Sequence, residues 1–195
     1  MVPTLKTEPS VEPITLAEAK AHLRVLHNDE DTYITSLIAV ARMTAEDLQR
    51  RSYVDTVWEL WLDHWPDGRV IELPRSPLSA VASVKLYDTA DAETNFAASN
   101  YIVDDASPVG RIVLRDGAAW PTTTLRQAKA IVIEFTAGHG TDASDVPDRF
   151  KHLVKLVLAH LWAHRDSVVL GTIATDIPFS LKALLTKDRL GGMVG

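Results

Sequence analysis

Apolar residues recur at helical spacing in two stretches near the start of the chain. The first is Leu16, Ala19 and Leu23, with Leu26 just beyond; the second is Ile34, Leu37, Ile38, Ala41, Ala45 and Leu48. The first set predicts a short helix with one buried face from Thr15 to about Val25. Thr15-Leu16-Ala17-Glu18 has the form of a capping box, with the Thr15 hydroxyl accepting from the third helical amide and Glu18 reaching back to Thr15. The acidic turn Asn28-Asp29-Glu30-Asp31 predicts the start of a second, longer helix, because carboxylates are favoured at the positive end of the helix dipole. Arg50 and Arg51 close that helix at its negative end and need no ligand to explain them.

The period changes from about Val54. Trp58, Leu60 and Leu62 alternate with Glu59, Trp61 and Asp63, as a strand with one buried face requires, and only Trp61 breaks the pattern. Trp65-Pro66-Asp67-Gly68 fits a type I turn, so Val70 to Leu73 is expected to return as the second strand of a hairpin. Further strands are expected at Val81 to Tyr87, Tyr101 to Val103, Arg111 to Leu114 and Ala130 to Phe135. No helical pattern separates them, and parallel pairing needs a crossover, so the pairing should be mostly antiparallel.

Helical spacing returns after Asp145-Val146-Pro147-Asp148, with Asp145 as the expected cap. The stripe Phe150, Leu153, Val154, Val157, Leu161 and Trp162 predicts a long helix to about Arg165. A short last helix from Pro178 would carry Leu181, Leu184 and Leu185, and Gly191-Gly192 would stop it. The expected class is α+β, with an N-terminal helix pair and a C-terminal long helix framing a mostly antiparallel β-sheet insert. The expected organisation is a flexible arm over 1–13, where Pro3, Pro9 and Pro13 forbid helix. A helical domain then comes from 14–53 and 146–175, a β-rich insert from 54–145, and a docking segment from 176–195.

Composition narrows the function. The 195 residues are 46% hydrophobic, enough for a sizeable core, and no apolar run is long enough to span a membrane or resembles a signal peptide. A soluble, unexported protein made in the cytoplasm is expected. The absence of cysteine removes disulfides, thiolate metal sites and cysteine nucleophiles. A net charge of −6 argues against general affinity for nucleic-acid phosphates. Residues 146–195 carry 7 basic and 4 acidic side chains, a balance of +3 on an acidic body, which suits a subunit meeting unlike surfaces at its two ends.

Catalytic patterns are sparse. His160 and His164 share a helix face at metal-ligand spacing, yet Leu161 stands where a zinc protease has its glutamate, and no third ligand is evident. A small metal-dependent hydrolase built on this pair is therefore the weaker reading. His139 lies between Gly138 and Gly140 without a serine or cysteine elbow, so a simple turn accounts for it. Asp104-Asp105 and Glu30-Asp31 read as solvated loop charge, and no phosphate-cradling Gly-x-x-x-x-Gly-Lys occurs. Trp58, Trp61 and Trp65 are expected to cluster at the hairpin as core or subunit-contact residues. No cofactor, metal or catalytic residue is expected.

The order of these features resembles the head-to-tail connector (adaptor) family of long-tailed phages and phage-like gene transfer agents. The resemblance rests on Ile14-Thr15-Leu16-Ala17-Glu18-Ala19-Lys20 with Leu23 and Arg24, the acidic turn, and the helix ending in Arg50-Arg51. It continues in Leu73-Pro74-Arg75-Ser76-Pro77-Leu78 with Val81 and Val84, in Ala137-Gly138-His139-Gly140 with Val146-Pro147, in Trp162 to Arg165, and in Leu184-Leu185 with Arg189. It covers about residues 13 to 190, with one departure at Asp188, where an aromatic is expected. The resemblance implies a structural virion component rather than an enzyme: a homo-oligomeric ring, usually of twelve subunits, in the neck of the particle. The ring would lie between the portal protein and a stopper or tail terminator protein, with DNA passing through its lumen without specific binding. It also implies portal contact through Leu184, Leu185 and Arg189. A stopper or tail terminator itself is the alternative within the same class.

Overall fold

The computed structural model describes residues 2–164 and Thr186. The chain divides into two compact units: a β unit from the residues up to Pro9 with Asp55–His139, and a helical unit from Ser10–Val54 with the chain from Gly140 onward.

In the helical unit, α1 spans Leu16–Leu23, α2 spans Asp31–Gln49 and α3 spans Asp148–Ala163. The capping box forms as the sequence predicts. The Glu18 amide donates to Thr15 Oγ1 at 3.2 Å, and the Thr15 amide donates to Glu18 Oε2 at 2.9 Å. The helix stops at Leu23 because Arg24 takes a left-handed conformation, φ 59°, and its amide donates to the carbonyls of Ala21 and Lys20. That turn carries Leu26 away from the buried face on which the periodicity placed it, leaving it 97% exposed. Arg50, φ 55°, ends α2 in the same way.

The expected stripe of α2 is buried at Ile34, Leu37, Ile38, Ala41 and Ala45, and it shares one core with Tyr53, Phe150, Val154, Val157 and Leu158. Tyr53 stacks on Phe150 at 4.9 Å between centroids. Each fully buried large apolar side chain contributes about 1.5–3 kcal/mol relative to exposure, which is what holds three short helices together. Asp145 does not cap α3. It closes a separate 3₁₀ turn over Ala143–Asp145 by accepting from the Asp142 amide at 3.0 Å, and Pro147 takes the cap position. Proline suits that place because its missing amide lies where a helix has no acceptor to offer.

The β unit holds eight strands: β1 Thr4–Thr7, β2 Thr56–Leu62, β3 Val70–Glu72, β4 Leu78–Tyr87, β5 Glu93–Asn95, β6 Tyr101–Asp104, β7 Arg111–Leu114 and β8 Ile131–Ala137. They form two antiparallel sheets, one in the order β1-β2-β8-β4-β5 and one in the order β3-β7-β6. The class is therefore α+β, with antiparallel pairing throughout the β unit. Trp58, Leu60 and Leu62 are buried, as the alternation predicts, together with Ile71, Leu73, Ile112, Ile131, Ile133 and Phe135.

Three expectations need correction. β2 and β3 do not form a hairpin: β2 has β1 and β8 on its two edges, so β3 pairs with β7 in the other sheet. The three tryptophans near the turn also diverge. Trp58 lies in the core under the Arg75 guanidinium at 4.3 Å, and Trp61 stacks on Tyr87 on the opposite face of its sheet. Trp65 stacks on Trp120 at 4.7 Å beside Phe96. Finally, residues 4–7, expected to be part of a flexible arm, form the edge strand β1. The short strand β5 carries no apolar alternation, and the sequence reading missed it.

The segment Leu73 to Leu78 is the crossing from one sheet to the other. The Leu73 amide donates to the Gly110 carbonyl at 2.8 Å, and the Gly138 amide donates to the Pro77 carbonyl at 2.9 Å. Leu73, Ser76 and Leu78 are buried, which anchors the crossing in the core of the β unit.

Candidate functional site

His160 and His164 stand with ring centroids 4.4 Å apart, and His164 Nδ1 lies 2.8 Å from the His160 carbonyl oxygen. Among the described residues no group of three or more His, Asp or Glu side chains converges as a metal site. Asp104 accepts from Ser107 Oγ and from Arg111 Nε, both at 2.7 Å. These contacts, the Ser107 hydroxyl first, hold its carboxyl below the usual aspartate range. Asp31 pairs with Lys20 at 2.6 Å, fastening the start of α2 to α1.

Gly138 and Gly140 explain the setting of His139. A Cβ on Gly138, φ 157°, would lie 2.3 Å from the backbone nitrogen of Asp55, and one on Gly140, φ 144°, would lie 2.3 Å from Asp145 Oδ2. Both glycines are required by close approach of other atoms, which is a packing reason rather than a catalytic one.

A cleft of about 530 Å³ is lined by Trp61, Asp63, His64, Pro66, Val70 and Glu72. Asp63 Oδ1 accepts from the Lys129 amide at 2.7 Å, which secures the lead-in to β8. Among the described residues the lining holds no serine, threonine or cysteine nucleophile.

A buried charge cluster in the helical unit is one that sequence reasoning missed. Arg42 lies inside the helical unit, 5% exposed, with Nη1 2.8 Å from Glu46 Oε2 and Nε 2.8 Å from Glu12 Oε2. Burial alone would lower the affinity of the guanidinium for its proton; the Glu12 and Glu46 carboxylates outweigh it and raise the pKa above the ordinary value, so Arg42 stays charged. Glu46 Oε1 accepts from the Tyr53 amide at 2.7 Å, and the Tyr53 hydroxyl donates to Gln49 at 2.8 Å. The cluster ties α2 to the segments before α1 and after α2. Its only sequence signal was an Arg and a Glu four residues apart beside an apolar stripe.

A second unforeseen feature is an apolar edge on the outside of α2. Tyr33, Val40 and Met43 are 39%, 45% and 46% exposed. Their spacing of seven and three residues puts them along one edge of the helix, next to the core stripe at Tyr33 and turning away from it toward Met43. Trp162 of α3 lies 6.0 Å from Tyr33 and extends this surface. Leu184, Leu185 and Arg189, the residues expected to contact a portal, lie outside the described residues.

The described residues thus hold a buried ion-pair cluster and leave three apolar side chains of α2 exposed. Comparison with known proteins gives these features a context. Residues 13–107, just under half of the chain, match the family model of the "Phage gp6-like head-tail connector protein", and over this stretch the chain is similar to that head-tail connector family. Its fold is similar to that of a chain in the "Neck of empty GTA particle computed with C6 symmetry", at a TM-score of 0.80 and 25% identity over 100% of this chain and 98% of that one. It is also similar to a chain in the "Neck of native GTA particle computed with C12 symmetry", at 0.73 and 26% identity over 98% of each. A chain in the "Virion of native gene transfer agent (GTA) particle" shares the fold at 0.79 and 24% identity, over 100% of this chain and 98% of that one. No curated protein sequence matches the chain significantly. Among the described residues no helix is long and apolar enough to cross a membrane.

Proposed function

We propose that this chain acts as one subunit of a closed ring in the neck of a phage or gene transfer agent particle, and that its role is mechanical rather than enzymatic. The observation that carries this reading is the full-length likeness to chains in necks computed with C12 and C6 symmetry. Twelve subunits satisfy both symmetries. In this reading the ring closes by a heterologous, head-to-tail contact, in which one face of each subunit meets a different face of the next. The apolar edge of Tyr33, Val40 and Met43 supplies part of that contact, because exposed apolar groups aligned on one helix gain most by being covered.

The ring docks on a portal protein on one side and on a stopper or tail terminator on the other. The segment around Leu184, Leu185 and Arg189 meets the portal, supported by the positive balance of the last quarter of the chain. DNA passes through the lumen. A net charge of −6 suits passage, since a wall that bound phosphate tightly would hold the genome by releasing its counterions.

The test is native mass measurement and electron-microscopic imaging of the purified protein, alone and with its cognate portal. Rings or a stoichiometric portal complex are expected, and truncation after Thr175 should abolish portal capture in a pull-down. A persistent monomer that ignores the portal would overturn the reading. A ring with a continuous basic lumen would overturn the account of DNA passage.

A further inference from the structure

Strand β1 stands out for how little holds it. All four of its residues are exposed, so it adds no apolar group to the core. Its hold consists of the ladder to β2, in the register Thr4 to Glu59, Leu5 to Trp58 and Thr7 to Val57, broken by a bulge between Leu5 and Thr7. The ion pairs of Lys6 with Glu134 at 2.6 Å and with Glu59 at 3.2 Å complete it. These contacts lie at the surface, where ion pairs add little.

The chain leaves β1 for a different unit. Residues up to Pro9 belong to the β unit, and from Ser10 the chain is part of the helical unit. The connection is short and stiffened by Pro9 and Pro13. Its far end is pinned, because Glu12 is held by the buried Arg42 at 2.8 Å. From that fixed point the extended chain from Thr7 to Glu12 reaches at most about 17 Å. An element that packs with one unit, continues into another and hangs on a short proline-bracketed link is the arrangement from which identical subunits exchange strands.

We infer that β1 is an exchangeable strand, which in the assembled ring pairs with β2 of the neighbouring subunit and there makes the contacts seen here within one chain. This rests on the ring reading above. Exchange keeps every hydrogen bond and ion pair of the β1–β2 contact, so the ring gains an inter-subunit link without a new interface. The exposed edge of β2, a template for unwanted pairing when bare, stays covered in either form. Between subunits already held side by side, the neighbour's β2 competes at the high effective concentration of a tethered partner.

The absence of cysteine makes the test direct. Full-length chains carrying Thr4→Cys and Glu59→Cys together are assembled on the portal, and rings are confirmed by imaging. They are then joined with a short thiol-to-thiol linker and run on a denaturing gel. Exchange predicts a ladder of linked chains, and an equimolar assembly of the two single variants predicts linked pairs. The pair Thr7→Cys with Val57→Cys serves as a second probe if Glu59 proves necessary for folding. Rings in which the double variant links only within one chain would overturn the exchange and leave the ring reading standing. Failure of wild-type and variant chains alike to form rings would overturn the ring reading itself.

Discussion

Replacing Arg42 by methionine removes the cation that two carboxylates share. Glu46 is 4% exposed and would lose this buried ion pair, while Glu12, at the edge, can turn toward water. Breaking one side of a buried ion pair costs about 3–5 kcal/mol, because the remaining charge keeps its desolvation penalty without its partner. The folded-to-unfolded ratio should therefore fall by roughly two to nearly four orders of magnitude. The double variant Arg42→Met with Glu46→Gln removes both charges, and the glutamine carbonyl can still accept from the Tyr53 amide. It should recover to within about 1–2 kcal/mol of the parent, since an uncharged replacement of a buried pair is often close to neutral.

Urea unfolding followed by far-UV circular dichroism suits the test, because α1, α2 and α3 all belong to the helical unit. A loss below about 1 kcal/mol in Arg42→Met would mean that Glu46 finds solvent or a proton without cost, against the burial argument. A double variant as unstable as the single one would also refute it, by showing that the loss comes from packing around the side chain and not from stranded charge.

Gly138→Ala should cost about 2 kcal/mol or more, read by tryptophan fluorescence in urea, because its Cβ would meet the backbone of Asp55 at 2.3 Å and backbone cannot rotate away. Glu18 has its carboxyl held below the ordinary value of 4.5, first by the Thr15 amide and also by Lys155. Since the unfolded chain takes up this proton first, the stabilisation is present above that ordinary value and is lost as pH falls through the lowered folded one. Glu18→Gln, which can keep the cap but not the charge, should flatten that part of an acid-unfolding curve. Val40→Glu, on the exposed edge of α2, should leave the melting temperature within about 2 °C of the parent while abolishing rings in electron micrographs.

What was legible in the sequence was whatever neighbouring residues decide among themselves. The Thr15–Glu18 capping box, the one-sided stripe of α2 and the alternation of Trp58, Leu60 and Leu62 all depend on atoms a few residues apart, and each lies where the pattern put it. The order of such local features was also enough for the resemblance to connectors, because a family conserves its elements in sequence.

Decisions between distant residues were not legible. β2 had a turn and a following strand that suited a hairpin, yet β8 and β1 took its two edges, and the choice among partners is made by the whole sheet. β1 carries almost no pattern of its own, since it is a strand only because β2 offers an unpaired edge. Arg42 and Glu46 stand four residues apart in the sequence, a spacing that exposed helical pairs share, so nothing local marks them as buried. What buries them is Glu12, thirty residues away, and the segment around Tyr53. Local chemistry is written in spacing, whereas burial and pairing depend on which surfaces meet once the chain has folded, and only tertiary structure settles that.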